Sequence, residues 1–300
     1  MGRIDMQFGI RVFSVCLIGL AVSSCDRNAP ITTDRFQSSD EHFEKIDSNV
    51  ANEPSLHKVL EIDHSRLGAQ EASHMPPARL LMFSDKKLES ELLKINQLVG
   101  IDLPIRILAY ESVPNGPSKI IYNSYDYLAS RYGLSPSGVS RDRFEKSMSL
   151  ALSGIEPANM AAFSQDQMQP DGIVTLHSPF DFKETHSRVL EAINSQDDTI
   201  IFGSIDFQSQ VQDFGVVIPP TKLILFGGPS PGAKAMRNAP TLGLDAFCQK
   251  LLVWEDDQQV VHLSFNDLLR VAERQDVSKS IPLRVIDFRL NRTFSNALSE

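Results

Sequence analysis

Three histidines lie close enough together in the sequence to raise the question of a metal site. His57, His64 and His74 fall within eighteen residues, and Asp63 adjoins His64. Neutral imidazoles together with a carboxylate are ligands that transition metals accept. The spacings of seven and ten residues do not fit two ligands on adjacent helical turns, and the chain has no His-Glu-x-x-His pattern. We therefore expect surface or structural histidines, with no metal and no cofactor.

A glycine-rich turn is the second candidate for chemistry. Gly227, Gly228 and Gly232 follow the apolar run Leu223–Phe226 and alternate with prolines. Glycines let the backbone approach a ligand closely, so this turn could present its N–H groups to an anion. No Gly-Lys-Ser/Thr follows, and the dinucleotide-binding spacing is absent. A tight connection from a strand to a helix is the interpretation that we favour.

Carboxylates recur at matching places in two parts of the chain. The pairs are Asp63 with Asp206, Asp102 with Asp245, and Glu111 with Glu255. Two carboxylates can act as acid and base when a pocket separates their pKa values. Each of these residues also stands at the end of an expected element, where an acidic side chain caps a turn or helix, and we favour that role. Asp63, Asp102 and Asp245, with His64 and the three glycines, remain the candidate ligand-binding residues.

The matching carboxylates belong to an internal repeat with an offset of 143 residues. No gap is needed from about residue 37 to residue 102, so a duplication is the simplest explanation. The matches are Ile62-Asp63 with Ile205-Asp206, Pro76-Pro77 with Pro219-Pro220, Leu80 with Leu223, Phe83 with Phe226, Gly100 with Gly243, Asp102 with Asp245, Asn123 with Asn266, and Arg131 with Arg274.

The second copy, residues 173–290, shows the element order most clearly. Alternating and helical apolar patterns predict the order β-α-β-α-β-α-β-β-α, with Asp181 and Asp267 as helix caps and a hairpin over 251–265. Alternation in Ile281–Leu290 predicts one further strand, followed by a C-terminal tail at 291–300 that frays or caps the module. The hairpin and the short connections predict an α+β fold of two two-layer modules, each a mostly antiparallel sheet covered by helices. Two similar modules on one chain are expected to pack as a pseudo-dimer.

The first copy, residues 37–163, ends in a predicted helical tail. Residues 141–163 carry apolar side chains at helical spacing, interrupted at Pro157. Residues 164–172 are polar and rich in glutamine, and we expect a linker between the modules.

The N-terminus has the pattern of an exported, lipid-anchored protein. Arg11 precedes the apolar run Val12–Val22, and Ser23, Ser24 and Cys25 follow. This predicts a signal peptide at 1–24. The end of that segment resembles a bacterial lipobox, which implies lipidation of Cys25 and a tether at 25–36; a plain signal cleavage with an incidental Cys25 is the alternative. Asp26 slightly favours the inner membrane, by the rule that enterobacterial lipoproteins follow. We expect a bacterial envelope protein that faces the periplasm.

Composition and charge narrow the possible partners. The formal net charge is −9, without a basic block, which argues against nucleic acid and against an electrostatic hold on anionic lipid. Of three cysteines, only Cys248 would remain free after export, so an internal disulfide is excluded. Cys248 has no recognisable histidine partner and lies in an apolar stretch, where we expect a buried side chain.

The motifs resemble a bacterial and archaeal family, that of domain of unknown function 302. In the second copy the resemblance rests on Phe226–Gly232, Leu244-Asp245, Val253–Asp256 and Phe265–Asp267. In the first copy it rests on Ile62–His64, Pro76-Pro77, Ile101–Pro104 and Tyr122-Asn123. The resemblance implies compact α+β domains, often paired as dimers, and no established activity.

Each copy lacks part of the family pattern. The first has Phe83-Ser84-Asp85-Lys86 in place of the glycine turn, and the second has Phe207 in place of the histidine. The leading hypothesis is a non-catalytic lipoprotein that binds an envelope protein partner or a small ligand. The alternative is an enzyme or metal-dependent sensor with a composite site, built from His64 of one copy and the glycine turn of the other.

Overall fold

A computed structural model describes residues 36–163 and 172–299. The signal peptide, Cys25 and most of the linker therefore lie outside the described residues. In the first copy the elements are α1 (Gln37–Asn52), β1 (His57–Asp63), α2 (His64–Gln70), β2 (Ala78–Ser84), α3 (Lys86–Ile95), β3 (Ile105–Glu111), β4 (Ser118–Asn123), α4 (Tyr125–Tyr132), α5 (Val139–Ala151) and β5 (Met160–Phe163).

The second copy repeats the order from α1 to α5 at nearly the same offset, but its additional strand comes first instead of last. Its elements are β6 (Ile173–His177), α6 (Phe182–Asn194), β7 (Ile200–Asp206), α7 (Phe207–Gln212), β8 (Thr221–Gly227), α8 (Pro229–Met236), β9 (Gln249–Glu255), β10 (Val261–Asn266), α9 (Leu268–Arg274) and α10 (Ile281–Ala297). Short 3₁₀ segments lie at Gln97–Ile101 and Pro240–Leu244. Asp181 and Asp267 accept hydrogen bonds from backbone N–H groups three residues on, which confirms both predicted caps.

Two five-stranded sheets are present within the described residues. Their strand orders are β1-β2-β3-β4-β5 and β6-β10-β9-β8-β7. Every neighbouring pair is antiparallel except β4 and β5. The edge position beside β4 is filled by a C-terminal strand, while the matching position beside β10 is filled by the N-terminal strand β6. The prediction of mostly antiparallel sheets in an α+β fold is confirmed.

Each sheet is covered by helices from its own copy on one side. Helix α1 packs on β2, β3 and β4 and against α5, while α10 packs against α6, α8 and α9. The Phe294 ring of α10 makes an edge contact with Phe226 and a tilted contact with Phe265, at centroid distances of 5.9 and 5.3 Å. These contacts fix α10 on the second sheet and bury its inward face.

The two copies exchange short segments across their interface. Gln97–Ile101 of the first copy lies against β8, β9 and β10, and Pro240–Leu244 of the second lies against β2, β3 and β4. Helices also pair across it, α2 with α8 and α3 with α7. The pairing is related by a pseudo-twofold, because the elements on each side correspond at the repeat offset. The copies therefore pack as the expected pseudo-dimer.

The predicted strand at 281–290 is wrong, because α10 extends from Ile281 to Ala297, and residues 291–297 of the expected tail continue this helix. Its buried residues Leu283, Ile286, Leu290 and Phe294 follow helical spacing. A second set of apolar residues on the exposed face falls between them. The two sets together produce the alternation that imitates a strand.

The predicted helical tail of the first copy is correct only in part. Helix α5 ends at Ala151, a 3₁₀ turn spans Pro157–Asn159, and Met160–Phe163 forms the edge strand β5. Short apolar runs that contain alanine favour a helix locally, whereas the open edge of β4 supplies parallel strand pairing. In the part of the chain that the structure describes, no helix is long and apolar enough to cross a membrane.

Candidate functional site

Asp102 lies at the centre of a buried ionic cluster where the two copies meet. Its carboxylate pairs with Arg106 and accepts hydrogen bonds from Arg131 Nη1 at 2.6 Å and from the Tyr132 hydroxyl at 2.6 Å. The side chains of Asp102, Arg106 and Arg131 are all at most 2% exposed. The first copy thus supplies a closed set of ion pairs and hydrogen bonds around its central carboxylate.

Asp245 occupies the matching place in the second copy, and its partners come from both copies. Arg274 of its own copy pairs with it, and Arg106 of the first copy lies 3.0 Å away. Asn123 Nδ2 of the first copy donates to Asp245 Oδ1 at 3.0 Å. Arg131 Nη2 of the first copy likewise donates to Asn266 Oδ1 of the second at 2.7 Å. This interleaving makes the cluster a joint between the modules.

Positive charges outnumber carboxylates in this cluster. Burial alone would raise the pKa values of Asp102 and Asp245, but the neighbouring arginines lower both, that of Asp102 well below its ordinary range. Burial, reinforced by the charge of Arg106, lowers the pKa of Lys250 to about 7. Lys250 Nζ donates to the backbone carbonyl of Asp245 at 2.8 Å. Burying unpaired charge is costly, so the two carboxylates are essential to the joint.

His64 is buried against the other copy. It begins α2, and its Nε2–H donates to the backbone carbonyl of Gly243 at 3.2 Å. Burial lowers the pKa of His64 to about 4, against the opposing effect of that hydrogen bond, so the ring is neutral at pH 7. A Cβ on Gly243 would lie 2.9 Å from His64 Cδ2, which explains the glycine. The ring therefore acts as a contact between the modules.

The pseudo-twofold places Phe207 where the second copy lacks the histidine. A Cβ on Gly100 would lie 3.0 Å from the Phe207 ring, just as Gly243 accommodates His64. Gly100 and Gly243 match at the repeat offset, so both glycines serve the same close approach. An aromatic ring at this position is what the packing needs, and the imidazole of His64 adds one hydrogen bond to it.

The glycine turn leads directly into α8, which begins at Pro229. Pro229 and Pro231 in the first helical turn have no N–H group, and Gly232 N–H donates to the Gly228 carbonyl at 2.9 Å. Ser230 N–H donates to the carboxylate of Glu71 in the first copy at 3.0 Å. These donors are thus used within the protein, as the tight strand-to-helix connection requires.

A small cavity brings His64 and the glycine turn together. Its water-sized space is about 20 Å³, and its lining includes His64, Gly227, Gly228, Gly232 and Cys248. Space of this size suits one ordered water rather than a drug-sized ligand. Burial raises the pKa of the Cys248 thiol to about 12, which disfavours the nucleophilic thiolate.

The matching region of the first copy is filled by a carboxyl group. Glu89 corresponds to Gly232 at the repeat offset, is fully buried, and accepts a hydrogen bond from Ser84 at 2.6 Å. Gln210 of the second copy also donates to it. Burial raises the pKa of Glu89 to about 7, against the opposing effect of these two hydrogen bonds. Glu89 was not singled out from the sequence.

Asp63 lies apart from this cavity. It caps α2 by accepting from Arg66 N–H at 2.8 Å, and its carboxylate also pairs with the Arg66 side chain. Arg66 and Arg79 both bind Asp40, which extends this surface ion network. Asp206, the matching residue of the second copy, caps α7 in the same way. The favoured capping role therefore applies to both.

The structure does not bring the three histidines of the first copy together. His57 and His74 are exposed, whereas His64 is buried against the second copy. Among the described residues, no group of three or more His, Cys, Asp or Glu side chains could hold a metal ion. Besides Glu89, the sequence did not indicate the buried cations Arg106, Arg131, Arg274 and Lys250. The match of Arg131 with Arg274 at the repeat offset was the one signal that could have indicated them.

Comparisons with known proteins give a family and a few relatives. A family model described as "Domain of unknown function DUF302" matches residues 31–154 and 174–293. The chain is similar to a solved structure titled as an uncharacterized conserved DUF302 protein from Bacillus stearothermophilus. That similarity has 15% identity and a TM-score of 0.36, over 43% of this chain and 96% of the other.

Curated relatives carry a different kind of name. Proteins named fluoride-specific ion channel FluC 1 from Brucella suis and Brucella abortus are each 34% identical to this chain over 109 residues. The match covers 36% of this chain and 42% and 40% of those proteins. The chain thus spans less than half the length of these relatives.

Proposed function

The chain belongs to the DUF302 family, and from this premise we propose that it is a lipoprotein of the bacterial cell envelope. Lipid on Cys25 would hold it at the membrane, facing the periplasm, with Asp26 slightly favouring the inner membrane. The two modules form one non-catalytic unit that binds a protein partner or a small ligand.

One observation carries the proposal of a binding unit. The candidate acidic residues Asp102 and Asp245 are committed to the buried joint, where cations of both copies surround them. Groups held in this way keep two modules in a fixed arrangement, and a fixed double module offers a wide, preorganised binding surface. The cavity beside His64 has room for a water-sized ligand, so a protein partner is the stronger choice.

The names of the relatives suggest where to search for that partner. A stretch of this chain is similar to part of proteins named fluoride-specific ion channels. A partner resident in the envelope membrane is therefore the class to test first, by crosslinking in the native host and reconstitution with the purified partner. If none of the crosslinked membrane proteins binds the reconstituted protein after purification, this choice is contradicted.

The anchor is tested by replacing Cys25 with serine in the full chain. The unchanged protein should incorporate labelled palmitate and sediment with membranes, and Cys25→Ser should lose the label because the acceptor sulfur is gone. Cys248→Ser is the matched control and should keep the label, since Cys248 is buried. Equal labelling of the original chain and Cys25→Ser would refute the lipid anchor.

A composite site for an ion or small molecule is the second candidate function. It is favoured by the cavity that His64 shares with the glycine turn. Native mass spectrometry of residues 26–300, purified from the native host without chelators, distinguishes the two candidates; this fragment retains every described residue. The binding-unit proposal predicts that the measured mass is that of the bare chain. It also predicts that partner binding survives His64→Phe, a substitution that introduces the residue of the second copy. A bound species that disappears in His64→Phe would establish the composite site instead.

A further inference from the structure

Helix α10 exposes an apolar stripe on the side that faces away from the protein. Ile281, Val285 and Phe288 are 78%, 52% and 64% exposed. Their spacing of four and three residues places them on one side of the helix. The opposite side carries the buried residues that hold α10 on the second sheet, so the stripe is not part of the core.

Two arginines share this exposed face. Arg284 and Arg292 are exposed and lie beside the stripe at helical spacing. Arg284 Nε donates to the backbone carbonyl of Lys279 at 2.9 Å, whereas the Lys279 ammonium group is paired with Glu273. The acidic residue of α10, Asp287, is half-buried and accepts a hydrogen bond from Leu268 N–H at 3.0 Å. The exposed face is therefore both apolar and basic, on a chain with a net charge of −9.

The fold does not require this face, as the matching helix α5 demonstrates. At the repeat offset, the first copy carries Gly138, Asp142, Glu145 and Ser149 in place of Ile281, Val285, Phe288 and Arg292. Both helices pack on their own module, so packing does not need the apolar stripe; of the two arginines, Arg292 is peculiar to the second copy, while Arg284 matches Arg141. The difference points to an interaction made by the second copy alone.

We propose that the exposed face of α10 binds the surface of an anionic phospholipid bilayer. An apolar stripe with flanking arginines suits a helix lying in the membrane interface, where side chains enter the acyl region and guanidinium groups meet headgroup phosphates. A second copy of the chain fits less well, because an antiparallel pairing of two such helices would bring Arg284 and Arg292 of both chains together. The proposal extends the proposed membrane anchoring by giving the modules a defined orientation on the membrane.

The contact is expected to be weak without the lipid anchor. Three apolar side chains and two arginines form a modest interfacial signal, and the acidic remainder of the chain is repelled by anionic headgroups. Binding should therefore depend on anionic lipid and weaken as salt screens the arginines. This local basic face revises the expectation, drawn from the overall charge, that no part of the chain is attracted to anionic lipid.

The test uses residues 26–300, without attached lipid, and flotation with vesicles of two compositions. Vesicles of phosphatidylglycerol and phosphatidylcholine in equal parts should bind roughly tenfold more protein than vesicles of phosphatidylcholine alone. The double variant Val285→Asp, Phe288→Glu introduces the residues of α5 and should lose this binding. Val139→Asp on α5 replaces a valine that is 70% exposed and should leave binding unchanged.

Three results would overturn the proposal. They are equal binding to both kinds of vesicle, retained binding of the double variant, and self-association that the double variant abolishes, which would assign the face to a second copy. Circular dichroism establishes that each variant is folded. Because the fragment has no Cys25, its result stands apart from the palmitate experiment, and either proposal can fail alone.

Discussion

Replacing Asp102 with asparagine should lower the free energy of unfolding by about 3–5 kcal/mol, as expected when one partner of a buried ion pair is removed. The carboxylate of Asp102 compensates Arg106 and Arg131 in a region with more buried cations than carboxylates. Asparagine keeps the size of the side chain but removes its charge, so Arg131 loses its paired carboxylate and Arg106 keeps only Asp245. The change in the free energy of unfolding is measured by urea denaturation at pH 7, with circular dichroism as the signal.

Asp206→Asn is the matched control for this experiment. Asp206 caps α7 and pairs with Lys222 on the surface, where both side chains are well exposed. Asparagine caps helices about as well as aspartate, so the loss should stay below about 1 kcal/mol. Equal losses for the two variants would contradict the assignment of Asp102 as a joint between the modules.

The second large effect is a pH dependence that originates in Glu89. Burial raises its pKa from the ordinary value of 4.5 to about 7 in the folded protein, so the folded chain holds a proton that the unfolded chain releases. The contribution to stability is complete below pH 4.5, falls as pH rises toward 7, and is lost above 7. The total change corresponds to about 3 kcal/mol. The free energy of unfolding of the unsubstituted protein minus that of Glu89→Gln should therefore fall by this amount between about pH 4 and pH 8.

His64 works in the opposite direction and partly hides this effect. Its pKa is lowered from 6.5 to about 4, so its contribution to stability is present above pH 6.5 and is lost as pH falls toward 4. Glu89→Gln should expose the histidine contribution as a stability that rises with pH. A difference curve for Glu89→Gln that is flat from about pH 4 to pH 8 would refute the buried carboxyl group. Gln210→Leu introduces the residue that the first copy has there, Leu67, and should move the fall to higher pH.

The internal repeat made the fold predictable. Because the offset is constant, each element assigned in the second copy could be assigned to the matching residues of the first. Helix caps such as Asp181 could be predicted because their hydrogen bonds are local in sequence. The strand predicted at 281–290 failed because α10 is apolar on two faces. The repeat itself indicated the correct structure, since residues 141–154, the match of 284–297, already carried a helical pattern.

The candidate site was predictable only where its chemistry followed the repeat. The sequence showed that the first copy keeps His64 but lacks the glycine turn, while the second copy keeps the glycine turn but lacks the histidine. The structure places His64 and the glycine turn on one cavity. The ionic joint was missed because its corresponding cations, Arg106 in the first copy and Lys250 in the second, are different residue types. Their positions also differ from the repeat offset by one residue. Which carboxylate would be buried among cations depends on the packing of one module on the other, and no local pattern carries that information.

The covalent connection of the copies has a consequence for how such a protein can change. In a symmetric dimer of identical chains, every substitution occurs twice, once on each side of the axis. Here the two sides have separate sequences, so Glu89 can fill one pocket while Gly232 leaves the other open. In the same way, α5 keeps a polar exterior while α10 has an apolar one. Tandem duplication has thus turned one pair of equivalent surfaces into two surfaces that can specialise independently.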